Sequence, residues 1–129
     1  MEFRENRAIY LQISDYVFEQ ILLQNWKINE KIISVRELAS RLEVNPNTVA
    51  RAYDLLQGQG IILNKRGIGF FITADAIEKI KLLKREEFKE KELPQFFRNI
   101  YLLEIDFDSL KDAYNNYVKI INLTEHENK

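Results

Sequence analysis

Two helix-start signals stand close together in the first half of the chain, at Ser34 and again at Asn45-Pro46, and leave room for only a short helix between them. Ser34-Val35-Arg36-Glu37 is a capping box, in which the Ser34 hydroxyl and the Glu37 carboxylate can each satisfy the other's orphan backbone N–H. Asn45 is a strong N-cap, and Pro46 brings its preset φ to a first helical position that needs no N–H. The spacing predicts a helix from Ser34 to near Arg41 or Leu42, a tight turn, and a second helix stopped by Gly58 and Gly60. Val35, Leu38, Ala39 and Leu42 form the apolar stripe of the first, and Val49, Ala52, Tyr53 and Leu56 that of the second.

Upstream, Tyr10, Ile13, Val17 and Ile21 recur at helical spacing, which predicts a helix from about Ile9 to Gln24 and then a linker from Trp26 to Ile33. Downstream, Ile61-Ile62-Leu63 and Phe70-Phe71-Ile72 are short β-type runs joined by the Gly-punctuated loop Asn64–Gly69, the pattern of a hairpin. From Asp75 the pattern becomes a long helix, heavily charged over Lys84–Glu92 and interrupted at Pro94, with Leu93, Phe96, Phe97 and Ile100 continuing an apolar face. Asp106 can cap a last helix bearing Phe107, Leu110, Tyr114, Tyr117, Val118 and Ile121. The fold class expected is mainly α with a small β-hairpin, in two domains, 1–74 and 75–129.

Three helices, the last two separated by a tight turn, followed by a hairpin, are the order of a winged helix-turn-helix, whose third helix enters the major groove of DNA. At about 100° per residue, Asn47 and Arg51 lie one turn apart and nearly opposite the Val49/Tyr53/Leu56 stripe. Asn can pair bidentately with adenine and Arg with guanine. A solvated helix face would look the same for these two residues taken alone. Asn45 and Thr48 flank the helix N-terminus, where free N–H groups favour a phosphate, and plain capping is the competing role. Arg36 can reach the backbone or a base edge, or form a surface ion pair. Lys65, Arg66 and Gly67 lie where a wing would meet the minor groove. Gly67-Ile68-Gly69 has no following helix and is a hairpin turn rather than a phosphate-cradling loop.

The formal net charge of −1 is unpromising for a DNA binder, but its distribution is not uniform. From Lys31 to Arg66 six cations (Lys31, Arg36, Arg41, Arg51, Lys65, Arg66) stand against three anions (Glu37, Glu43, Asp54), whereas anions prevail from Asp75 onward. With no cysteine there is no disulfide or thiolate zinc site, no apolar run approaches membrane-spanning length, and Met1–Arg7 lacks an export signal, so a cytoplasmic protein is expected. The one histidine, His126, lies in a polar tail, and no nucleophile–base arrangement supports an enzyme. Neither a cofactor nor a metal is expected.

Ile9-Tyr10-Leu11-Gln12-Ile13, Ser34-Val35-Arg36-Glu37-Leu38-Ala39, Val44-Asn45-Pro46-Asn47-Thr48-Val49-Ala50-Arg51-Ala52-Tyr53, Gly60-Ile61-Ile62 and Arg66-Gly67-Ile68-Gly69-Phe70-Phe71 together resemble the GntR family of bacterial regulators. The Asn-Pro-Asn-Thr-Val run and the short helical tail resemble its YtrA subfamily. The resemblance implies a homodimeric repressor on a palindromic double-stranded operator, often of a transporter operon, with a tail too small to enclose a metabolite. By matching position it implies DNA contacts from Arg36, Asn45, Asn47, Thr48, Arg51 and the wing. The chain departs from the family where Ile28-Asn29 replaces Pro-Gly, Ile32-Ile33-Ser34 replaces Leu-Pro-Ser, Ala8 replaces Pro and Ala50 replaces a common Arg. A dimer interface is expected from Ile77, Ile80, Leu83, Phe96, Phe97, Phe107, Leu110, Tyr114 and Tyr117, whose apolar stripes one small winged domain cannot cover. A winged helix devoted to protein contacts and a small-molecule sensor, with the tail aromatics lining a pocket, remain the rival readings.

Overall fold

The computed structural model describes residues 1–127, with side chains through residue 125. The chain divides into two compact units, Met1–Lys84 and Arg85–Lys129. The first carries helices α1 (Ile9–Leu22), α2 (Val35–Leu42) and α3 (Pro46–Gly58), strands β1 (Ile62–Lys65) and β2 (Gly69–Ile72), and most of α4 (Ala76–Glu87). A π-helical turn (Phe88–Glu92), α5 (Leu93–Leu102) and α6 (Phe107–Glu127) make up the second.

Each predicted stripe turns inward. Ile13, Val17 and Ile21 of α1, Leu38 and Ala39 of α2, and Val49, Ala52, Tyr53 and Leu56 of α3 meet in one core. The Tyr53 ring packs edge-on against Phe70, with centroids 5.1 Å apart, and its hydroxyl donates to the Ile33 carbonyl at 2.7 Å. Burial, with Tyr16 adding to it, pushes this phenol far above the ordinary tyrosine range, so it stays a protonated donor. Gln12 is the other buried polar anchor. Its amide accepts from the Arg4 N–H at 2.7 Å and donates to the Arg4 and Arg7 carbonyls, fastening the N-terminal segment to α1.

Caps explain the helix-turn-helix boundaries. The Ser34 hydroxyl accepts from the Glu37 N–H at 3.2 Å, and the Asn45 carboxamide oxygen from the Asn47 N–H at 2.8 Å. The capping box is only half formed, because the Glu37 carboxylate pairs with Arg41 one turn on, at 3.0 Å. Glu43 ends α2 in the left-handed region, φ 56°, a conformation that costs an L-residue about 1–2 kcal/mol. Glu43→Gly relieves that strain against the greater flexibility of glycine in the unfolded chain. The substitution is expected to raise unfolding free energy by about 0.5–1 kcal/mol, read as a higher denaturation midpoint; an unchanged or lower midpoint would contradict it.

The hairpin pairs Ile62 with Ile72, Leu63 with Phe71, Asn64 with Phe70 and Lys65 with Gly69. Its loop is therefore only Arg66-Gly67-Ile68, shorter than the predicted Asn64–Gly69, because backbone pairing continues past the last apolar residue of the run. Gly67 (φ 79°) supplies the positive φ of a turn closed by the Ile68 N–H on the Lys65 carbonyl at 2.9 Å. The predicted linker also bonds to the hairpin. Asn29 N–H donates to Ile72, Ile72 N–H to Glu30 and Ile32 N–H to Phe70, so residues 29–32 lie along β2 and make one isolated antiparallel bridge, Lys31 to Phe71, beside a two-stranded sheet. Asn29 itself is left-handed, φ 64°, a conformation that Asn tolerates better than most residues other than Gly.

Two expectations are corrected in the tail. The pattern change at Asp75 is not the end of the first unit, since Ala76 and Ile80 of α4 are fully buried in its core and Lys84 bonds Asp15 of α1 at 2.8 Å. Ile80 thus has no surface to give to a dimer interface, and Ile77 and Leu83 pack half-buried against the same core. The interruption near Pro94 takes the form of a π-turn, with Leu93 N–H donating to Phe88 O. Pro94 has no N–H and its ring crowds the carbonyl four residues earlier, a conflict that a wider turn relieves. Among the described residues none after Ile80 is buried. Asp106 does cap α6, accepting from the Asp108 N–H at 3.3 Å. His126 lies on the last turn of α6, and its side chain falls outside those described.

Candidate nucleic-acid interface

The outer face of α3 is set by what its inner face buries. With Val49, Ala52, Tyr53 and Leu56 fully enclosed, Asn47 and Arg51 are left on the exposed side and Thr48 at its half-buried margin. The Asn47 carboxamide has no hydrogen-bond partner among the described residues. Asn45 is a cap first, its oxygen already committed to Asn47 N–H. The first turn beside it is closed on Asn45, whose backbone carbonyl accepts from the Thr48 and Val49 N–H groups, and the helix end carries partial positive charge.

The cations expected at the interface differ in their surroundings. The Arg51 guanidinium lies over the Tyr10 ring, 3.9 Å from its centroid. Arg36, in the first turn of α2, is exposed and makes no ion pair among the described residues. Arg41 has its charge met by Glu37, which removes it from the basic footprint counted in the sequence. On the wing, Lys65 lies on β1 with its ammonium 4.2 Å from the Phe71 centroid, while Arg66 and Gly67 sit exposed at the turn. The face therefore offers carboxamide and guanidinium groups of the kind that read base edges, beside point charges that suit phosphate.

Sequence reasoning passed over Lys31 as a site residue. It makes an isolated bridge with Phe71 of β2, and its side chain covers Gly69, where a Cβ would come within 2.8 Å of Lys31 Cε. No local pattern marks it, since Glu30 and Lys31 are both exposed and Ile32 alone of residues 30–32 is buried; its place follows from the bridge to Phe71.

In the second unit Phe96, Phe97, Phe107, Tyr114 and Tyr117 are all about half exposed or more. Phe97, Ile100 and Tyr101 border a hollow of about 740 Å³ that is an open groove rather than a closed chamber. Among the described residues no group of three or more His, Cys, Asp or Glu could hold a metal ion. No described helix is long and apolar enough to cross a membrane.

The family model for bacterial regulatory proteins of the gntR family matches residues 9–72. The chain is 34% identical over 109 residues to the HTH-type transcriptional repressor YtrA of Bacillus subtilis (strain 168), covering 84% of this chain and 83% of that one. Among solved structures, a GntR-family protein from Bacteroides thetaiotaomicron is similar at TM-score 0.76 and 42% identity, over 87% of this chain and 97% of the other. A GntR family transcriptional regulator from Listeria monocytogenes is similar at TM-score 0.73 and 32% identity, over 88% and 98%.

Proposed function

Because the chain belongs to the GntR family of bacterial regulatory proteins and is a DNA-binding transcription regulator, we propose that it acts as a cytoplasmic repressor, binding an inverted-repeat operator as a homodimer. The observation that carries the DNA-reading part is the outer face of α3, where Asn47 and Arg51 stand exposed opposite a fully buried stripe. Asn47 and Arg51 read base edges. Arg36, Asn45, Thr48, Lys31 and the wing residues Lys65, Arg66 and Gly67 meet the backbone and fix the register. Repression follows the relative named as a transcriptional repressor. The dimer rests on the second unit, where Phe96, Phe97, Phe107, Tyr114 and Tyr117 stay about half exposed or more and Leu110 is only partly buried. Two-fold pairing would present two copies of α3 to two half-sites about one helical turn, or a multiple of it, apart. No step of this function calls for catalysis or a cofactor.

The test is binding to the protein's own promoter region as a function of salt. Footprinting should show an inverted repeat, with affinity falling steeply with ionic strength as counterions leave the DNA. Lys65→Ala/Arg66→Ala should weaken operator and scrambled duplexes alike, and should flatten the slope of log affinity against log salt by about one unit for each phosphate no longer neutralised. Parallel slopes for wild type and double variant would place the wing off the DNA. Binding indifferent to salt would point instead to an apolar protein partner.

A further inference from the structure

Arg51 differs from the other exposed cations of the interface in resting on a ring from another helix, Tyr10 in the first turn of α1. A free arginine carries about 2 kcal/mol of rotamer entropy, much of which it must surrender to present its fork to a base. An aromatic face restrains the guanidinium through its π surface and leaves the in-plane N–H groups, the ones that donate to guanine O6 and N7, untouched. Those N–H groups have no acceptor among the described residues, so the stack holds the group without spending its donors. Tyr10 is well placed for this work. Its side chain packs half-buried against the core, which limits the positions open to the ring.

We propose that Tyr10 is a positioning residue for sequence readout, its ring holding the Arg51 guanidinium ready for a guanine edge. This rests on the reading of Arg51 as a base contact, and the two can fail separately. The contribution is to discrimination rather than to general affinity, because a phosphate accepts a guanidinium in many poses and a base edge in few.

The experiment uses the full-length protein and two duplexes, one carrying the sequence protected in its own promoter region and one a scramble of it. Tyr10→Leu is expected to lower the preference for the protected duplex about three- to tenfold, with affinity for the scramble unchanged. Tyr10→Phe, which keeps the ring and loses the hydroxyl, is expected to retain the preference. In an Arg51→Ala background Tyr10→Leu should cost nothing further, since the group it positions is gone. Full preference in Tyr10→Leu, an equal loss in both backgrounds, or a loss shared by both duplexes overturns the proposal, the last marking Tyr10 as purely structural. If Arg51→Ala alone keeps full preference, the readout role of Arg51 falls and the platform with it. A lost preference in Arg51→Ala beside an intact one in Tyr10→Leu removes only the platform.

Discussion

Ending the chain at Lys84 should lower operator affinity by a factor of about 10²–10⁴ and leave a folded, monomeric winged helix. Every buried residue described lies at or before Ile80, and the Lys84–Asp15 pair still ties α4 to α1 at that length, so the first unit keeps its core. What it loses is α5 and α6, none of whose described side chains is fully buried, and with them the proposed tether to a second half-site. The second site then binds at the free protein's concentration instead of a far higher effective one. The cut must not fall earlier. Ending at Ala74 strips Ala76 and Ile80 from the core and removes the ties of Lys84 to Asp15 and of Lys79 to the Gly60 carbonyl. Loss of a buried side chain the size of Ile80 costs about 2–5 kcal/mol, so the shorter fragment should unfold readily. Sedimentation of the full chain and of residues 1–84, with titration of each on operator DNA, decides the matter. A full-length monomer, or undiminished affinity in the fragment, refutes the dimer.

Replacing the two outward side chains of α3 is expected to erase operator preference while the protein stays folded. Each good bidentate pair with a base discriminates by about 1–3 kcal/mol, so Asn47→Ala and Arg51→Ala should each lower the preference about 5- to 150-fold, and the double variant should treat operator and scramble alike. Neither side chain contributes to the core, and the Asn45 cap accepts from the backbone N–H of residue 47, which alanine retains. Denaturation midpoints should therefore stay near wild type. The loss for the Arg51 variant should include the stack on Tyr10, so Arg51→Ala and Tyr10→Leu need not add. Competition between the two duplexes is the measurement, and unchanged discrimination would leave α3 as a solvated surface.

Much of the winged helix was legible because it is written in local chemistry. Ser34 and Asn45-Pro46 mark where α2 and α3 begin, whatever the rest of the chain does, since a cap satisfies backbone donors within a few residues of itself. The 3.6-residue stripe on α3 has to face inward, which leaves Asn47 and Arg51 outside. Other features required partners distant in sequence. The residue 29–32 segment lies along β2 only because β2 offers a free edge, and Lys65 belongs to a strand because Gly69 lies opposite. Glu37 could serve its capping box or Arg41, and the ion pair prevailed. Ile80 shows the limit most clearly. Its spacing announces an apolar face without saying which surface covers it, and only packing reveals that α1 to α3 and the hairpin leave a place for α4. The sequence by itself thus determined the helices, their inner and outer faces and the hairpin, because caps and periodicity act within a turn or two. Only the tertiary structure decided that α4 closes the winged domain's own core, that residues 29–32 bond along β2 and that Arg51 rests on Tyr10, because each depends on residues brought together from far apart in the chain.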